Sequence, residues 1–361
     1  MDVGIISMQK IHNYGSFLQA LSLKIQLEKR GCNVFFIDII PGKHLSIDVN
    51  KSDKRWILSK FDKYFLKRIA NFFFSKKMDK IHIEDYTKYL DIEKKIDIEK
   101  KYDVVVIGSD EVFNAVLPSK WGFTTQLFGN VENAKSVVTY AASCGSTTFE
   151  SALKYGIIDD LKSAMSNLNS ISVRDENTRL FVNQLVDLKA SVNVDPVFLS
   201  DYDEYIPTIT YKKPYMLVYA YENRISDEAE IGYIKKYADD NKLDIICVGM
   251  QQRWCKKNIT ANAFELLAYV KHANCIVTDT FHGTVFSIKY NKKFVTIIRE
   301  SNYNKLSYLL KQFELGYRQV NKIETISDIM DASIDYKKVN QIILSEQEKS
   351  ANYLNQIVQQ G

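Results

Sequence analysis

Thr278-Asp279-Thr280-Phe281-His282-Gly283-Thr284-Val285-Phe286-Ser287-Ile288 sets a histidine and a glycine between two apolar segments. The largely apolar run before it, Ala273 to Val277, predicts a short buried strand. The amphipathic stretch after it, Val285 to Lys289, predicts a helix. A strand-to-helix turn at the carboxyl end of a parallel strand is where open α/β sheets hold ligands. The amides that open such a helix lack intrahelical partners and attract anions. Asp279, Thr280 and Thr284 offer polar contacts beside the His282 ring. The plain structural alternative has His282 capping the helix or bonding a backbone carbonyl.

The same strand-turn-helix pattern recurs along the chain. Val3 to Met8 predicts a first strand, the loop His12-Asn13-Tyr14-Gly15 follows, and a helix runs from about Ser16 to Arg30. Leu18, Leu21 and Ile25 give that helix an apolar face, and Gly31 stops it. Asn33 to Ile40 is the next strand, completing a β-α-β unit. Tyr102 to Ile107 ends in Gly108-Ser109-Asp110-Glu111, with Asn114 close behind. Ser136 to Ala142 ends in Ser143-Cys144-Gly145, and a single helix is expected from about Glu150 to Leu168. Ser170 to Val173 ends in Arg174-Asp175-Glu176, and Ser191 to Val194 leads into Asp195-Pro196. A second alternation begins at Tyr215, with strands at 215–221, 243–248, 273–277 and 294–298 and a helix at about 305–313.

These alternations predict an α/β protein of two Rossmann-like doubly wound domains facing a cleft. The expected domains are residues 1–200 and 214–330, joined by the polar segment 201–214. The tail, 336–359, is expected as a long helix packing back towards the first domain. Residues 51–101 break the pattern as a helical insertion rich in lysine and aromatics, among them Trp56, Phe61, Tyr64, Phe65, Phe72, Phe73 and Phe74. They either pack the insertion onto the domain or form an interfacial patch whose lysines meet anionic lipid.

Composition narrows the function classes. The 361 residues are 46% hydrophobic and 25% charged, with a net charge of +4 that does not argue for nucleic acid. The five cysteines are scattered and form no Cys-x-x-Cys, so a disulfide framework or zinc site is not expected, and a reducing cytoplasm fits. No run reaches the roughly 18 apolar residues of a membrane span, and no signal peptide is expected at the start. No Gly-x-Gly-x-x-Gly, Asp-x-Asp, His-Glu-x-x-His or Walker pattern occurs, so no required metal and no P-loop are expected.

Taken in order, His12-Asn13-Tyr14-Gly15 with Leu18-Gln19-Ala20, Gly108-Ser109-Asp110, Tyr140-Ala141-Ala142-Ser143, Ser172-Val173-Arg174-Asp175, Asp195-Pro196 and the opening stretch resemble the polysaccharide pyruvyl transferases, from Ile5 to about Lys311. The resemblance implies a glycosyltransferase-B-like fold and no cofactor. It implies phosphoenolpyruvate as donor substrate and, as acceptor, a saccharide or lipid-linked saccharide of surface-glycan assembly. The product would be a pyruvyl ketal, made in the cytoplasm or on the inner face of the membrane.

Protonating the donor's methylene and activating a sugar hydroxyl need one acid and one base. His282 is expected as the acid, or as a hydrogen-bond donor to the phosphate. Asp110 is expected as the base. His12, Asn13, Tyr14, Ser109, Asn114, Arg174, Thr280, Gly283, Thr284 and Arg299 are expected to bind substrate. Each has a structural alternative: Asn13 and Asp110 as caps, Arg174 as a surface pair with Asp175 or Glu176. Some family members carry Arg-Leu-His where this chain has Thr280-Phe281-His282. Either Arg299 or Arg253 is expected to supply that missing charge, or the donor is held differently. Two other readings stand beside this one: a sugar-nucleotide glycosyltransferase on the same fold, and a non-catalytic binding protein of a glycan-assembly complex.

Overall fold

The computed structural model describes residues 1–8, 10–45, 65–92, 100–117 and 119–360. Trp56, Phe61 and Tyr64 of the insertion lie outside these residues, as does the segment 93–99.

The first half runs β1 (Asp2–Ile6), α1 (Tyr14–Glu28), β2 (Asn33–Phe36), α2 (Phe65–Leu90), β3 (Tyr102–Asp110), β4 (Ala134–Ala142), α3 (Phe149–Lys154), α4 (Ile158–Met165), β5 (Ser172–Val173), α5 (Glu176–Asn183) and β6 (Ser191–Val192). The second runs β7 (Tyr215–Tyr219), α6 (Glu228–Asp240), β8 (Asp244–Val248), β9 (Lys257–Ile259), α7 (Ala263–His272), β10 (Cys275–Thr278), α8 (Phe281–Lys289), β11 (Phe294–Ile297), α9 (Tyr303–Gln312), β12 (Gln319–Val320) and α10 (Ile326–Asp331). A long helix, α11 (Tyr336–Gln360), ends the chain.

Each half holds one six-stranded sheet, ordered β2-β1-β3-β4-β5-β6 and β12-β11-β10-β7-β8-β9. All pairings are parallel, so both faces need helical cover, and the central strands read as unbroken apolar runs such as Val104–Ile107. In such sheets the strand order reverses at one point, and ligands sit outside the carboxyl ends there. That point lies between β1 and β3 in the first sheet and between β7 and β10 in the second.

One difference from the sequence reading is local. The helix expected over 150–168 is two, α3 and α4, because Gly156 adopts φ 66 and breaks the run. Among the described insertion residues, α2 sends Met78, Tyr86 and Leu90 into the core while Phe72 and Phe73 stay exposed.

The two halves share a core. Tyr14, Phe17 and Leu18 of α1 pack in one cluster with Leu217, Phe264 and Phe286 of the second half. Tyr14 Oη donates to the Ala261 carbonyl at 2.6 Å, and Asp85 of α2 accepts from the Ala263 amide at 3.0 Å. The α11 helix lies on the first sheet, where Tyr353 Oη donates to the Thr139 carbonyl at 2.9 Å and Leu354 and Ile357 are buried. No helix among the described residues is long and apolar enough to cross a membrane.

Candidate active site

The segments after β1, β3, β7 and β10 converge on a cavity of about 350 Å³ between the halves. Asn13 and Ser16, Asp110 and Glu111, Tyr221 and Arg224, and Asp279 to His282 line it. These are the strands that flank the two reversal points, so the topology alone accounts for the convergence.

Asp110 holds a left-handed backbone (φ 71), a conformation costing a non-glycine residue about 1 kcal/mol or more. It aims its carboxylate at Ser16, whose Oγ donates to Oδ2 at 2.5 Å. Next to it, Glu111 accepts from Lys305 of α9 at 2.5 Å and from Asn114 at 2.7 Å. Burial opposes its ionisation, but Lys305, Asn114 and Arg174 outweigh that and hold its carboxyl below the usual range.

Arg174 is buried and pairs with Asp195 at 3.1 Å, with Asp110 4.0 Å away. It is not the surface partner of Asp175, whose carboxylate caps α5 and takes Ser143. Burial disfavours its charge, yet Asp195, Asp110, Asp175 and Glu111 together raise its pKa. Its guanidinium also stacks 4.0 Å from the Phe281 ring centre. Asp195 further accepts from Gln19 and sits 3.7 Å from His282 Nε2. Burial again opposes ionisation, and His282 and Arg174 keep the Asp195 carboxyl low.

His282 opens α8, but its ring does not face open solvent. It is only 7% exposed and lies so close to Gly15 that a methyl group there would land inside the imidazole. Thr280 caps α8, accepting from the Gly283 amide at 2.9 Å. Gly283 and Thr284 are buried, and Thr284 Oγ donates to the Thr280 carbonyl at 3.0 Å, so these two shape the turn.

Asp279 is 0% exposed and no hydrogen bond satisfies either carboxylate oxygen. Burial lifts its pKa to about 6, against the pull of Arg224 and Arg299. Arg224 Nη1 lies 3.9 Å from it, and the guanidinium lies 4.8 Å from the Tyr221 ring centre.

The structure does not bring every expected residue to this cavity. Arg299 is taken by Glu230, at 2.6 and 2.7 Å, and does not line it. Arg253 is exposed and lines a separate surface pocket. Ser109 is fully buried. Asn13 caps α1, accepting from the Gly15 amide at 2.7 Å, and also donates to Tyr221 Oη at 3.1 Å. His12 and Tyr14 line a neighbouring cavity of about 230 Å³. Sequence reasoning missed Arg224 and took Asp279 only as a polar contact beside His282; Arg224 follows β7 by the same strand-end rule that located Asp110. Among the described residues no group of three or more His, Cys, Asp or Glu is arranged to hold a metal ion.

Two parallel α/β domains facing each other over a cavity at their strand ends define the glycosyltransferase-B-like fold. A solved structure with this architecture, the glycotransferase of kitacinnamycin, covers 99% of this chain and 98% of its own at 8% identity and a TM-score of 0.50. The Streptomyces sp. glycosyltransferase SsfS6, solved with thymidine diphosphate, covers 99% of both chains at 12% identity and a TM-score of 0.49. No curated protein matches the chain. The model of one family, polysaccharide pyruvyl transferase, matches residues 13–301, and the chain belongs to that family.

Proposed function

We propose that the protein moves a pyruvyl group from phosphoenolpyruvate to a sugar of a surface polysaccharide or its lipid-linked precursor, forming a ketal. The observation that carries this reading is the pairing of Arg224 with the protonatable Asp279 in the cavity between the halves. A donor with a carboxylate and a phosphate needs cations and amides, which Arg224 and the start of α8 supply. Asp279 keeps much of its proton near pH 6, and an anion bound beside it raises its pKa further. Donor binding therefore loads the acid.

The steps balance. Asp279 gives its proton to the donor's methylene carbon, leaving a cation-like centre on the neighbouring carbon. One sugar hydroxyl attacks that centre and Asp110 takes its proton. The carbon–oxygen bond to phosphate breaks, the electron pair leaves with phosphate, and the Asp110 proton passes to it. A second hydroxyl attacks, and its proton restores Asp279. His282, at the start of α8, steadies the departing phosphate.

This reading sets the protein in the cytoplasm, against the inner face of the membrane when the acceptor is lipid-linked. Phe72 and Phe73, exposed on α2 beside Lys76, Lys77 and Lys80, suit such a surface.

The test is phosphate release on mixing the protein with phosphoenolpyruvate and a panel of glycosides, with the ketal methyl followed by NMR. Release that needs both substrates is expected. No release, together with stabilisation by a sugar nucleotide but not by phosphoenolpyruvate, overturns the reading.

A further inference from the structure

The second cavity, about 230 Å³, lies against the first. Both are lined by Asn13 and Tyr221, which bond each other across the seam between the halves. Its other walls are α2, through Phe74, Met78 and Asp79, and the turn Gly249 to Gln251 after β8. Its balance of charges differs from its neighbour's. Arg174, Arg224 and Lys305 line the first cavity together with Asp110, Glu111 and Asp279, whereas among the described residues no Lys or Arg lines the second, which carries Asp79 and Glu222. His82 is buried, which lowers its pKa to about 4, and His12 is held by Asp79 at 2.6 Å.

Its surfaces suit one ligand chemistry. Rings with polar edges supply an apolar face and hydrogen bonds together. Tyr14, His12 and His82 form such a group, with ring centres 4.8 Å apart for Tyr14 and His82 and 5.5 Å for the two histidines. Gly249 holds φ 74 and abuts the Tyr14 ring so closely that any side chain there would collide with it. That glycine leaves the ring in place and the turn short.

We infer that the second cavity is the acceptor subsite and takes a neutral saccharide, which presents its reacting hydroxyls to the first cavity past Asn13 and Tyr221. An anionic donor finds its guanidinium and ammonium partners in the first cavity and is held there beside Arg224. The assignment rests on the transferase reading given above, but saccharide binding is measurable without the donor.

Saturation-transfer NMR tests it with the methyl glycosides of glucose, galactose, mannose and N-acetylglucosamine. At least one binds the wild-type protein. Ser75→Trp and Met250→Trp, two independent ways to fill the cavity, weaken that binding by 10-fold or more, and circular dichroism shows whether each is folded. Both keep the thermal shift given by phosphoenolpyruvate. Arg224→Ala does the opposite, losing the shift and keeping the saccharide. The inference is overturned if none of the four glycosides binds, if binding ignores both tryptophans in folded protein, or if it is lost with Arg224→Ala instead. Should phosphoenolpyruvate shift nothing while the tryptophans abolish saccharide binding, the donor assignment falls and the saccharide site stands.

Discussion

Asp279 stands 3.9 Å from Arg224 with its carboxylate fully buried and unbonded, which makes it the least comfortable charge of the cavity. Its folded pKa, raised by burial to about 6, exceeds the ordinary 3.8, so the folded protein binds the extra proton between those values. Stability contributed by this group is present below pH 4 and is lost as pH rises through 6. The difference corresponds to about 3 kcal/mol. Asp279→Asn is therefore expected to melt higher than wild type at pH 7.5 and no higher at pH 4, as read from thermal melts across that range. The same variant is expected to lose about 10²-fold or more in turnover, the worth of a positioned acid.

Arg224 and Arg299 separate binding from architecture. Arg224→Ala is expected to abolish stabilisation by phosphoenolpyruvate while leaving the unliganded melting temperature nearly unchanged, since its side chain is 36% exposed. Arg299→Ala breaks the two-pronged contact with Glu230 and leaves that carboxylate without its partner. It is expected to lower stability and keep the donor response. Titration calorimetry and melts on the two proteins check this; equal donor affinity in wild type and Arg224→Ala would remove Arg224 from the site.

Gly15 touches His282 across the seam between the halves. Gly15→Ala forces the ring away, at a cost of about 1–3 kcal/mol for an overpacked contact. His282→Gln relieves the contact and keeps a hydrogen-bond donor, so it should fold and retain partial activity if the ring steadies phosphate. Denaturant melts and phosphate release measure the two effects. A Gly15→Ala protein as stable as wild type would mean that the ring moves freely.

His82 works in the opposite direction to Asp279. Burial depresses its pKa to about 4, with His12 assisting and Asp79 opposing. The unfolded chain thus binds the extra proton between about 4 and 6.5, so stability from this group is present above pH 6.5 and is lost as pH falls towards 4. His82→Phe keeps a ring against Tyr14 and removes the titration. The variant is expected to lose less stability than wild type between pH 6.5 and 4.5.

Phe72 and Phe73 supply a test of the membrane version. Sedimentation with anionic vesicles at low salt is expected to carry down the wild type and less of a Phe72→Ala/Phe73→Ala double variant. Wild-type protein that stays in solution disposes of the idea.

The sheets were legible because each central strand is an apolar run followed by a polar cluster, a pattern written within about ten residues. The edge strands β9 and β12, three and two residues long, carry too little pattern to stand out. Asp279 was visible as a residue but not as a buried acid, because the groups around it, Arg224, Arg299 and Asn302, come from other elements of the second half. Arg299 shows the same limit from the other side. Its partner Glu230 lies on α6, 69 residues away, and nothing near Arg299 in sequence announces that it is taken. The acceptor-side cavity depends on α2, part of an insertion that breaks the alternation and so had no template to be read against.

The shared core has a consequence for how the chain is made. Synthesis delivers Tyr14, Phe17 and Leu18 early, yet their cover, Phe264 and Phe286, leaves the ribosome some 250 residues later. Until then the nascent first half carries a bare oily strip on α1 and cannot complete its folding alone. The seam that shapes the cavity thus sets only once most of the chain is made, and a chain truncated before Phe264 should need a chaperone's shelter from which the finished protein is released.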